Sequence, residues 1–194
     1  MTTSPLRLVV ITGSTRDGRF GPTVTSWFTD FAASIAPMDI DIVDLAEIEL
    51  PAVQPNWGAE RTPAHAHLGA RLDAADAFVI VTPEYNHSFP APLKNAVDLF
   101  RDEWRAKPVG FVSYGGQGGG LRAVEQLRLV FAELHAVTVR DSVSFHGAGS
   151  AFEEGRPVDP TVCNSAAANM LDQLDWWGSV LRSARAMRPY AEAA

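Results

Sequence analysis

A chain of 194 residues, 46% apolar and 20% charged, holds enough apolar material for one sizeable core and fits one domain, 1–194, better than two. Sixteen Lys and Arg against 23 Asp and Glu give a formal charge of −7, which disfavours nucleic acid or an anionic membrane surface as the main partner. A single cysteine, Cys163, excludes an intrachain disulfide and a cysteine metal cluster, and a start with no basic n-region and no spanning run of about 20 apolar residues points to the cytoplasm.

In chain order, β-rich runs alternate with helical ones. LRLVVIT (6–12) predicts a first strand, followed by a helix over about 22–36. DIDIVDL (39–45) predicts a second, followed by a helix over about 63–75, and AFVIVTP (77–83) a third, followed by a helix over about 91–102. PVGFVSY (108–114), a helix over about 120–135, VTVRDSVSF (137–145) and a last amphipathic helix over about 160–186 complete the series. The first, third and fourth strands are nearly continuous apolar runs, as suits parallel strands covered on both faces, whereas DIDIVDL alternates and suits an edge. The expectation is an α/β fold: a doubly wound five-stranded parallel sheet of order 2-1-3-4-5 with helices on both faces. A ligand then sits beyond the carboxyl ends of the strands, at the switch between strands 1 and 3.

Three loops leave those carboxyl ends. In GSTRDGRFGPTV (13–24) the glycines let the backbone turn closely around a ligand, Ser14 and Thr23 supply hydroxyls, Arg16 and Arg19 supply charge, and the next helix presents its amides. This reads as a phosphate cradle, yet it is neither GxGxxG nor GxxxxGK[ST], so ATP chemistry is not expected. In TPEYNHSFPAPLKNAVD (82–98), Pro83 to Ser88 offer backbone groups to a ring edge and Tyr85 an aromatic wall, with Pro90 and Pro92 setting the entry to a helix. SYGGQGGGLRA (113–123) has glycines on which a flat ligand could lie against backbone amides.

Together these stretches resemble the NAD(P)H-dependent FMN reductase family, flavodoxin-like flavoproteins that include quinone, chromate and azo-dye reductases. The resemblance spans about residues 6–145, and PEYN followed by LKNA is its most specific part. It implies noncovalent FMN with its phosphate near Ser14, Arg16, Arg19, Phe20, Gly21, Pro22, Thr23 and Val24. Phe20 and Gly21 stand where other members carry Ser or Asn. It also implies the isoalloxazine ring against Pro83, Glu84, Tyr85, Asn86 and His87 and against Ser113, Gly115 and Gly116. The implied activity is hydride transfer from NAD(P)H through FMN to quinone-like or other small-molecule electron acceptors, or to free flavin, in a ping-pong cycle. The Gly115 and Gly116 amides suit the negative charge that a reduced ring develops near N1 and O2. A homodimer or dimer of dimers, with the second subunit completing the pocket, is also implied.

Other residues read more plainly. His65 and His67 are two apart on a helix and do not share a metal site, so both are expected on a surface loop, and no metal is expected. His87 is the one candidate for catalysis: it protonates a substrate, caps a backbone group or faces water. The tryptophans are expected in core or interface, with Trp57, in LPAVQPNWGAERTP, placed to cover a neighbouring subunit's flavin. Leu99, Phe100, Trp104, Leu127, Val130 and Phe131 lie on helices that follow the flavin loops; some of them are expected to pack on the sheet and Trp104 to face a second subunit, the alternative being that all six are internal core. Two alternatives stand beside the reductase: a flavodoxin-like electron carrier without a nicotinamide site, and a flavin-free protein on the same fold.

Overall fold

The computed structural model describes residues 4–56 and 58–190, which form a parallel sheet with helices on both faces. Strands β1 (Leu6–Thr12), β2 (Met38–Asp44), β3 (Ala77–Pro83) and β4 (Pro108–Tyr114) lie in the order β2-β1-β3-β4. Every residue of β3 and β4 is buried, as their unbroken apolar runs require, whereas β2 is mostly half-exposed at the edge. Thr12 pairs with Val81 and Val81 with Val112, so β1, β3 and β4 end almost level and their loops start side by side.

The fifth strand, expected over 137–145, is two short pieces, β5 (Val137–Thr138) and β6 (Val143–Phe145), both parallel to β4. Between the two pieces the Arg128 guanidinium donates to the carbonyls of Val139 at 2.6 Å and Arg140 at 2.9 Å.

Helices α1 (Gly21–Ile35) and α6 (Pro160–Met187) cover one face, and α2 (Pro63–Asp73), α3 (Ala91–Asp98) and α4 (Leu121–Glu133) the other. Side chains of β3 alternate between them. Phe78 and Ile80 join Trp104, Phe111 and Phe131, while Val79 and Val81 join Phe28, Met170 and Leu174. Past β6, a short helix α5 (Ala148–Ala151) and a hairpin of β7 (Phe152–Glu153) with β8 (Arg156–Pro157) were not anticipated, being too short for a periodic signal. The hairpin is held by Phe152, whose ring meets Phe20, Trp27 and Phe145 edge-on.

The structure corrects three expectations here. The helix expected over 91–102 stops at Asp98, because the chain turns back to bury Phe100 and Trp104. Trp104 is 1% exposed and its indole N–H donates to the Val97 carbonyl at 3.1 Å. Trp104 therefore faces the core and not a partner, and the all-core alternative holds: Leu99, Phe100, Trp104, Leu127 and Phe131 are buried and Val130 packs on the same cluster. His65 is also internal. It shares a face of α2 with Leu68, Gly69 and Leu72, its Nε2 lies 3.2 Å from the Leu99 carbonyl, and its ring meets Phe100 edge-on. His67 is exposed, Trp27 is core, Trp176 is exposed, and Trp57 lies outside the described residues. Cys163 is buried in α6, where burial pushes its thiol up.

Candidate functional site

The first loop is anchored where the Gly13 amide donates to the Val81 carbonyl at 2.8 Å. From Ser14 to Gly21, no backbone amide donates a hydrogen bond to another described residue. The helix that follows has no side-chain cap and no acidic residue in its first turn. Unclaimed amides at such an end favour an anion, through their partial positive charge and the helix dipole. Gly21 is required by closeness: a Cβ there would collide with the Ser14 hydroxyl and stand 2.9 Å from Thr12 Cγ2.

The side chains of this loop divide. Arg16 is exposed, forms no ion pair with a described residue, and places its guanidinium 5.8 Å from the centre of the Tyr85 ring. Arg19, expected to serve the phosphate, is instead held by Asp44 in a bidentate pair of 2.6 and 2.7 Å and donates to the Ser14 carbonyl at 3.1 Å. Its charge is neutralised and it ties the loop to the end of β2. Ser14 is fully buried and its hydroxyl accepts from Tyr114 at 3.1 Å, so the backbone is what it offers a ligand. Burial pushes the Tyr114 phenol up to about 12, which keeps it a donor at neutral pH. Val24 is turned away: its side chain is core and its amide donates to the Phe20 carbonyl. Thr23 is half-buried, Pro22 is exposed, and Phe20 packs edge-on against Tyr114.

The second loop is a two-residue hairpin. The Tyr85 amide donates to the Ser88 carbonyl at 2.9 Å and the Ser88 amide to the Tyr85 carbonyl at 3.0 Å, with Asn86 and His87 at φ of 49° and 71°. Both central residues are left-handed, a conformation Asn and His adopt more readily than most side chains do. Residues from α4 that the sequence reading missed hold the tip. Arg122 Nε lies 3.1 Å from Glu84 Oε1 and its Nη1 2.9 Å from His87 Nδ1, while Gln126 Nε2 donates to the His87 carbonyl at 2.8 Å. The Ser88 hydroxyl donates to Gln126 Oε1. The signal was the i, i+4 spacing of Arg122 and Gln126 directly after the Gly-rich loop. Pro83 is buried, and Glu84 Oε2 is buried with no hydrogen-bond partner among the described residues.

The third loop uses two of its donors internally. The Gly115 amide donates to the Phe145 carbonyl at 3.1 Å and is not free for a ring oxygen. The Ser113 hydroxyl donates to the Gly119 carbonyl at 2.9 Å, bracing the loop from beneath. Gly119 and Gly120, at φ of 58° and 84°, make the left-handed turn into α4. Gly116 is exposed, its amide donates to no described residue, and a Cβ there would meet nothing within 4 Å. A cavity of about 820 Å³ lies elsewhere, between α4, α6 and residues 138–142. Directed donors, not void size, therefore mark the three-loop site.

Residues 6–150 match the model of a family described as NADPH-dependent FMN reductase. The chain belongs to this family. A NAD(P)H-dependent FMN reductase of Schizosaccharomyces pombe is 39% identical over 120 residues, which cover 59% of this chain and 60% of that protein. The chain thus spans about three-fifths of that relative. A probable NADPH:quinone oxidoreductase 2 of Oryza sativa is 31% identical over 170 residues, covering 82% of this chain and 84% of that one. Among solved structures, a flavoenzyme NAD(P)H:(acceptor) oxidoreductase from Paracoccus denitrificans shares the fold at a TM-score of 0.72 and 20% identity, over 90% of this chain and 98% of that one. All three loops fall inside the stretch that matches the FMN reductase model.

Proposed function

We propose that the chain is an FMN-dependent oxidoreductase that takes a hydride from NAD(P)H and reduces quinone-like or other small-molecule acceptors, or free flavin, in a ping-pong cycle. The observation that carries the reading is the run of unclaimed amides from Ser14 to Gly21 with Arg16 beside it, at the switch point of the sheet. The quinone reductase named among its relatives supports the acceptor class.

Bound FMN would supply the hydride chemistry; the chain supplies position and charge. The first-loop amides and Arg16 hold a phosphate, and Arg19, braced by Asp44, holds that loop in place. Tyr85 gives a flat wall, and Arg122 and Gln126 keep its hairpin rigid. The free amide of Gly116 can polarise a ring oxygen, and its open side leaves room for a second flat molecule. In this reading residues 1–194 act as one FMN-binding domain in the cytoplasm, as a homodimer or dimer of dimers, with neither nucleic acid nor membrane as partner. None of the described helices is long and apolar enough to cross a membrane.

An absorption spectrum and a titration with FMN and riboflavin test the cofactor. Tighter binding of FMN is expected; equal affinity for the two flavins would remove the phosphate cradle. NADPH oxidation with benzoquinone, giving parallel double-reciprocal lines, tests the cycle, and FMN binding with no NADPH oxidation would point to an electron carrier.

A further inference from the structure

We infer that Arg122 is a positioning residue that fixes His87 as a hydrogen-bond donor through Nε2, and that this N–H engages a carbonyl oxygen of the electron acceptor. The inference rests on the flavin reading above and adds a specificity determinant to it.

A guanidinium has donors and no acceptor, so the 2.9 Å contact between Arg122 Nη1 and His87 Nδ1 requires the lone pair of Nδ1. The ring then carries its proton on Nε2. Three constraints hold it so. Glu84, whose side chain is 12% exposed, anchors Arg122 through Nε at 3.1 Å. Gln126 holds the His87 carbonyl at 2.8 Å, and the left-handed backbone at His87 restricts where the ring can go. Arg122, whose side chain is 46% exposed, is thus tied to Glu84 through Nε and to His87 through Nη1.

His87 is exposed at the tip of the hairpin, and its Nε2 makes no hydrogen bond to a described residue. Glu84 and Arg122 are the charged groups that face it within this cluster. A carbonyl oxygen of a quinone gains negative charge as the ring is reduced, and a fixed N–H aimed at it favours that change. An acceptor without a carbonyl gains nothing from the same N–H.

The test has a spectroscopic and a kinetic arm. Two-bond ¹H–¹⁵N correlations of the purified protein, with His87 assigned by its loss in His87→Gly, are expected to show the Nε2–H tautomer, and Arg122→Leu a mixture. With FMN-loaded protein and NADPH, both variants are expected to lower kcat/KM for 1,4-benzoquinone about five- to tenfold more than for ferricyanide, the scale of one hydrogen bond. His87→Gly tolerates the left-handed backbone, so it carries the kinetic arm even if Arg122→Leu does not fold. An Nδ1–H tautomer in the wild type, or equal losses with both acceptors, would overturn the inference. No NADPH oxidation with either acceptor would defeat the flavin reading and the acceptor contact with it, while the tautomer would still decide whether Arg122 sets His87.

Discussion

Cutting the Arg19–Asp44 pair separates the roles of the two arginines in the first loop. Asp44→Ala removes contacts of 2.6 and 2.7 Å between side chains 17% and 15% exposed, together with the bond Asp44 accepts from the Ala46 amide at 3.1 Å. Exposed pairs contribute at most about 1 kcal/mol, and removing one partner of a fully buried pair costs about 3–5 kcal/mol. At this intermediate exposure the loss is about 2–3 kcal/mol, the lost amide cap included. For a chain of this size each kcal/mol lowers Tm by about 2–4 °C, so a fall of about 5–10 °C is expected. Arg16→Ala, with no ion pair to break, changes stability by less than about 0.5 kcal/mol. It weakens FMN binding by about 1–3 kcal/mol, the scale of a charge-assisted contact. Thermal melts followed by tryptophan fluorescence, with an FMN titration of each variant, measure both effects. An Asp44→Ala protein that melts with the wild type, or an Arg16→Ala protein with full FMN affinity, would refute the division.

Gly21→Ala presses a methyl group onto the Ser14 hydroxyl and Thr12, and is expected to cost about 1–3 kcal/mol in a urea melt and to weaken FMN uptake; a silent substitution would mean the loop is loose. Burial pushes the Lys107 ammonium from 10.5 down to about 8, although the Leu72 and Asp73 carbonyls each accept from it at 2.8 Å. Between those values the unfolded chain keeps a proton that the folded one has lost. Its contribution to stability is therefore complete above about 10.5 and is lost as pH falls through about 8, by up to about 3 kcal/mol. Relative to Lys107→Met, the wild type should gain stability between pH 7 and pH 10, and a pH-independent difference would rule out burial as the cause. Cys163→Ser and added chelator should leave turnover unchanged, since Cys163 packs in the core cluster and its thiol meets Asn164 and the carbonyls of its own helix start; lost activity would expose an unrecognised redox or metal centre. Light scattering should give a mass of at least twice 21.0 kDa, and a fully active monomer would exclude a shared pocket.

The first four strands and the order of the sheet were legible in the sequence, because burial on both faces demands unbroken apolar runs such as AFVIVTP and an edge permits the alternation of DIDIVDL. The meeting of the three loops was legible for the same reason: a doubly wound order brings the loops after β1, β3 and β4 together whatever their side chains do. Asn86 also announced its turn, since its short amide side chain suits the left-handed backbone found there. What the side chains of those loops do was decided only by the tertiary structure. Arg19 found Asp44 25 residues away and Ser14 found Tyr114 100 residues away, and no local pattern encodes such partners. The same holds for the Gly115 amide, claimed by the Phe145 carbonyl because β6 happens to run alongside β4. Helix ends behaved likewise: the periodicity of α3 continues to residue 102, but burying Trp104 against Phe78 and Phe131 outweighs four further helical residues. Local periodicity reports which faces are apolar. Which donor meets which acceptor depends on elements distant in sequence, and is settled only when the sheet has closed its core around them.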